Sequence, residues 1–150
     1  MNEHAAHAHH HRITWATSAQ VTLHCLLGCS IGEISGLIIG TVLGLGVWTT
    51  ISLAVALAFV FGMGLAIQPV MGRGADFRTA LKAVWLGEIV SITVMEIAMN
   101  ATDLALGGVQ SGSLLSMRFW IAMAAAIPAG FLAAWPVNHW LVGKSLKACH

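Results

Sequence analysis

Four apolar stretches, at about residues 19–45, 49–71, 80–106 and 119–142, each reach the ~20 residues that the hydrocarbon core of a bilayer demands. Charged residues make up only 9% of the 150 and the mean hydropathy is +0.81, which excludes an ordinary soluble domain. Backbone polar groups in lipid must be satisfied within the segment, so each stretch is predicted to be a helix, with Pro128 and Pro136 kinking the fourth. The expected fold is therefore all-α: an integral membrane four-helix bundle over 16–143, with sequential helices antiparallel. A flexible His-rich tail at 1–15 and a short C-terminal tail at 144–150 flank it.

Lys and Arg fix the expected orientation. Arg12, Arg73, Arg78, Lys82, Lys144 and Lys147 fall on one side of the bundle and only Arg118 on the other, so the positive-inside rule places both termini in the cytoplasm. Trp15, Trp48, Trp120 and Trp140 fall near the span ends, where indole rings favour the headgroup layer. The expected location is a bacterial inner membrane, crossed several times, with lipid as the surrounding partner. Basic residues are few and lie along one edge as topology signals, so a nucleic-acid partner is not expected.

Within the first span, Gly28, Gly32, Gly36 and Gly40 recur every fourth residue and form a narrow stripe without side chains, a seam for another helix or for a second copy of the chain. Cys25, Cys29 and Glu33, also four apart, are read onto the same stripe, so that ligands and seam coincide, with His24 at the edge. Two ligands one turn apart can share one ion, as the two His of the H-E-x-x-H motif do with zinc.

The third span carries Glu88, Ser91, Met95, Glu96, Met99, Asn100 and Asp103 within about half of the helix circumference. No Lys or Arg lies in the core of any span, so buried salt bridges are not available to these carboxyls. What remains is protonation, a bound cation or a hydrated cavity. Counting ~1.5 Å per residue places His24, Cys25 and Cys29 level with Glu88 and Ser91, and Glu33 level with Met95, Glu96 and Met99. Asp103 falls at the outer, wetted boundary, while Met63 and His139 join the inner end. The predicted metal residues are thus Cys25, Cys29, His24, Glu33, Glu88, Met95, Glu96 and Met99, with Asn100, Asp103, His139 and Met63 as secondary candidates.

The strings His-Cys-x-x-Gly-Cys-x-x-Gly-Glu-x-x-Gly at His24 to Gly36, Ser91-Ile92-Thr93-Val94-Met95-Glu96-Ile97, and Pro136-Val137-Asn138-His139-Trp140-Leu141 resemble a family of small bacterial four-span membrane proteins catalogued as a domain of unknown function. The resemblance covers nearly the whole chain after residue 15 and implies the four-span fold. Val90 and Met99-Asn100 stand where the family pattern has Asp and Asp-Asn.

Thiolate, thioether and imidazole ligands select Cu(I), with Zn(II) next, whereas Mg or Ca sites are mostly oxygen. The sequence therefore points to a membrane protein that binds and moves a soft transition-metal cation, a transporter, channel or metal-binding protein rather than an enzyme. The His-rich head, His4 to His11, and the terminal Cys149-His150 are expected to exchange ions on the cytoplasmic face. Two alternatives stand beside it. One is a thiol-disulfide oxidoreductase using Cys25 and Cys29, disfavoured because Cys four apart on a regular helix have Cα atoms ~6 Å apart with side chains leaning the same way. The other is a proton or alkali-cation conductor using Glu33, Glu88, Glu96 and Asp103. Haem held by His24 and His139 is the lesser option.

Overall fold

A computed structural model describes residues 14–144. Four long helices follow one another: α1 (Trp15–Val42), α2 (Val47–Met71), α3 (Phe77–Leu106) and α4 (Met117–Gly143), with one 3-10 turn at Val109–Ser111 before α4. There is no strand among the described residues, and each long helix has the length and apolarity to cross a membrane. The His-rich head and Cys149-His150 lie outside the described residues.

Helix limits follow local chemistry. Thr14 caps α1 by accepting from the Thr17 amide at 3.1 Å, and Asp76 caps α3 by accepting from the Thr79 amide at 3.3 Å. The Asp76 carboxyl also accepts from the Thr79 hydroxyl at 2.6 Å, and these bonds hold it below the usual carboxylate range. Gly107 ends α3 in the left-handed region at φ 73°, where a side chain would be strained. In α4, the helix runs continuously through Pro128 and Pro136.

Around the bundle the neighbours are α1–α2, α2–α3, α3–α4 and α4–α1, while α1 and α3 touch across the diagonal. The outer surface carries Leu23, Ile39, Val60, Ile97 and Leu132, all exposed and suited to lipid. Trp15, Trp48, Trp120 and Trp140 are exposed too, near helix ends.

The glycine stripe is spent within the chain. A Cβ at Gly32 would overlap the backbone of Leu57 and Ala58, one at Gly36 the backbone of Ala54, and one at Gly40 the Thr50 side chain. With Gly28, where a Cβ would meet the Gly62 and Phe61 backbone, these glycines form the α1–α2 seam, and α2 occupies the surface that a second copy would have needed. Ligands and seam do not coincide, which corrects the reading from spacing. In Gly28-Cys29 and Gly32-Glu33 the glycine meets α2, and the next residue, ~100° round, is buried toward the bundle axis.

Gly32→Ala and Gly36→Ala meet backbone that cannot swing aside, so each is expected to destabilise the bundle by roughly 1–3 kcal/mol. Gly64→Ala, with open space around it, is expected to be neutral or stabilising by up to about 1 kcal/mol. Thermal or denaturant unfolding in detergent checks the contrast.

Candidate cation column

A heptad-like row on α1, Ser18, Thr22, Cys25, Cys29 and Glu33, is buried along its whole length. Spacings of four, three, four and four keep these residues on one slowly turning face. On α3, Glu88, Ser91, Met95, Glu96, Met99 and Asp103 are buried in the same way. Cys25 Sγ lies 3.6 Å from Ser91 Oγ, which fixes the register between the two helices. Because both run in the same direction, one turn further on brings Cys29 level with Met95, and two turns bring Glu33 level with Met99.

The thiols of Cys25 and Cys29 interact directly without a disulfide; Cys29 also lies within electrostatic reach of Glu88 and Glu96. Cys25, Cys29, Met95 and Met99 share one core cluster with Ile92, Ala58, Ala126 and Ala134. Above them, Glu33 lies within electrostatic reach of Glu96 and of Asp103. Asn100 donates to Glu96 at 3.2 Å, and also to the Glu96 backbone carbonyl.

Glu33 Oε2, Glu96 Oε1 and Asp103 Oδ1 are buried and have no hydrogen-bond partner among the described residues. A carboxyl at that depth keeps a proton or neutralises a cation, since an isolated anion there costs at least ~2.5–3.5 kcal/mol. Asp103 differs from expectation. It is 3% exposed rather than wetted, because the 3-10 turn folds over it and Val109 N–H donates to its carboxylate at 2.9 Å.

At the other end, polar groups continue the column. Thr22 Oγ1 donates to the Ser18 carbonyl at 2.7 Å and accepts from Asn138 Nδ2 at 2.9 Å; Ser18 Oγ lies 3.1 Å from His139 Nδ1. The Trp15 ring stacks on His139 at 4.0 Å, and Trp135 Nε1 donates to the Trp15 carbonyl. Ser18 and Thr22 were not among the residues singled out from the sequence, although they continue the Cys25/Cys29 spacing toward the N-terminus.

Three candidates are placed elsewhere. His24 sits on the outer face of α1, exposed, with Nε2 donating to the Leu65 carbonyl at 3.2 Å, so it is turned from the thiols. Met63 packs against the separate cluster of Ala66, Ile67, Ala80 and Val84. His139 is held by Ser18 and Trp15 at the end of the column rather than beside the sulfurs. Among the described residues, no group of three or more His, Cys, Asp or Glu is placed to hold a metal ion.

Length, apolarity and the all-helical fold define a multi-pass membrane protein. The chain belongs to the DUF4396 family: the model of that family, described as a domain of unknown function, matches residues 14–147. No curated protein matches the chain, and no solved structure does.

Thr22→Val removes the acceptor to which Asn138 donates and is expected to cost about 0.6–1.7 kcal/mol in a membrane environment. Ser35→Ala, on an exposed backbone-bonded hydroxyl, is the matched control with little effect. Unfolding in detergent or bicelles measures both.

Proposed function

We propose that this protein binds a soft transition-metal cation and moves it across a bacterial inner membrane, with both termini in the cytoplasm. The observation that carries this reading is the pair of buried thiols, Cys25 and Cys29, in contact with each other and beside Glu88 and Glu96. Cu(I) is favoured over Zn(II). Cu(I) accepts a few soft ligands such as thiolate and thioether, whereas structural Zn(II) takes four ligands, and no His/Cys/Asp/Glu group of three is placed for it among the described residues.

In this reading Cys25, Cys29, Met95 and Met99 receive the ion. As a Cys25 or Cys29 S–metal bond forms, that thiol's S–H bond breaks and the proton passes to a neighbouring ionised carboxylate, Glu96 or Glu88; the Met95 and Met99 thioethers carry no proton and add as neutral ligands. Glu33 and Asp103 then neutralise the cation on its way to the Val109 end. His24 has no part in the column.

A second reading, proton or alkali-cation conduction, draws support from the carboxyl series Glu96, Glu33 and Asp103, each within electrostatic reach of the next. Flux into proteoliposomes separates the two. Cu(I) uptake is expected in the parent and to fall by at least about ten-fold in Cys25→Ser/Cys29→Ser, the scale of losing metal affinity. Proton current that survives those changes but is abolished by Glu96→Gln would instead support conduction with incidental thiols.

A further inference from the structure

Gly130 is buried on α4 where that helix crosses α3, and it faces methionine side chains rather than backbone. A Cβ added there would lie 2.5 Å from Met99 Cγ, 2.8 Å from Met99 Sδ and 3.1 Å from Met95 Cγ. On α2, a Cβ at Gly62 would meet Ile92 Cδ1 at 3.0 Å and Cys29 Sγ at 3.1 Å. Both sulfur sets thus occupy room that a missing side chain leaves open.

The contrast with the α1 seam is chemical. At Gly32 and Gly36 the obstructing atoms are backbone, so those glycines serve helix approach. At Gly130 the nearest atoms are Met99 Cγ and Sδ, side-chain atoms that a change of rotamer can move, whereas backbone cannot yield. A methyl group at 130 would therefore move the thioether before it moved the helix.

We infer that Gly130 is a positioning residue: by carrying no side chain it holds the Met99 and Met95 thioethers over the cluster of Cys25 and Cys29, so that thiol and thioether can ligate one soft ion. This rests on the Cu(I) reading above and extends it to the residue that sets the sulfur count. Register supports it, because Met95 is level with Cys29 and all four sulfur residues share one core cluster. It also gives the ion a next ligand beyond the thiols, in the direction of Glu33.

The test uses the purified full chain in nanodiscs, with Cu(I) affinity measured by competition with a chelator and the number of sulfur ligands by X-ray absorption. Gly130→Ala is expected to weaken Cu(I) about ten- to a hundred-fold, the scale of losing a group that orients a ligand, and to lower the sulfur count. Met99→Leu should do the same, and Gly130→Ala should add little on top of it. Should Gly130→Ala fold poorly, Gly130→Ala/Met99→Ala removes the overlap and is expected to restore stability without restoring affinity. A fully folded Gly130→Ala with parental affinity and sulfur count overturns this inference alone. So does a double variant that regains parental affinity. A parent that binds no Cu(I) overturns the functional reading and this inference together.

Discussion

The close approach of α1 to α2 through Gly28, Gly32, Gly36 and Gly40 is the contact on which the rest depends. It sets the rotation of α1 about its own axis. With each glycine pressed on α2, the residue that follows it is turned by ~100°, and this is what buries Cys29 and Glu33 inside the bundle instead of presenting them to lipid. Had α1 packed through any other face, a thiol row and a carboxyl would stand in hydrocarbon. The seam thus gains its importance from the polar groups it conceals.

Inside, the unusual property is that the diagonal contact of the bundle is polar. Most membrane bundles fill their axis with small and aliphatic residues, with isolated hydroxyls and amides as glue. Here Ser18, Thr22, Asn138, Cys25, Ser91, Glu88, Glu96, Glu33 and Asp103 are buried from one end to the other. Bonds within the chain answer Thr22, to which Asn138 donates, and one oxygen of Asp103, to which Val109 N–H donates. Glu33, Glu96 and Asp103 nevertheless each keep a buried oxygen that no described residue bonds. Since the span cores offer no Lys or Arg, those carboxyls are left to protonation, hydration or a cation.

Soft and hard groups overlap in depth, with Glu33 level with Met99 and Glu96 next to Met95. Sulfur is grouped around Cys25, Cys29, Met95 and Met99, while free oxygen lies with Glu33, Glu96 and Asp103. A cation that prefers sulfur would dwell at the first group, and the second would lower the electrostatic cost of leaving it. The 3-10 turn lies over Asp103 at one end, and Trp15 stacks on His139 at the other.

Hydropathy and length alone were enough to specify four helices, because nothing in a bilayer core competes with intrahelical hydrogen bonding; the expected spans 19–45 and 80–106 overlap α1 and α3 but miss their first turns, which polar capping residues such as Thr14 and Asp76 begin. Spacing also indicated that Cys25 and Ser91 share a depth, since rise per residue is fixed by helix geometry. What periodicity could not decide was which neighbour each face meets. The glycine seam and the thiol row overlap on a wheel, and only packing separated them, one to α2 and the other to the axis. His24 illustrates the same limit: adjacent to Cys25 in sequence, it is turned outward to the Leu65 carbonyl, because successive residues on a helix point ~100° apart. Asp103 was judged by its distance from the membrane centre, yet the loop that follows folds back over it, a long-range event with no local sequence signal. The sequence by itself determined the helices and the depth of each polar group; the tertiary structure decided their rotation, and so which of them meet.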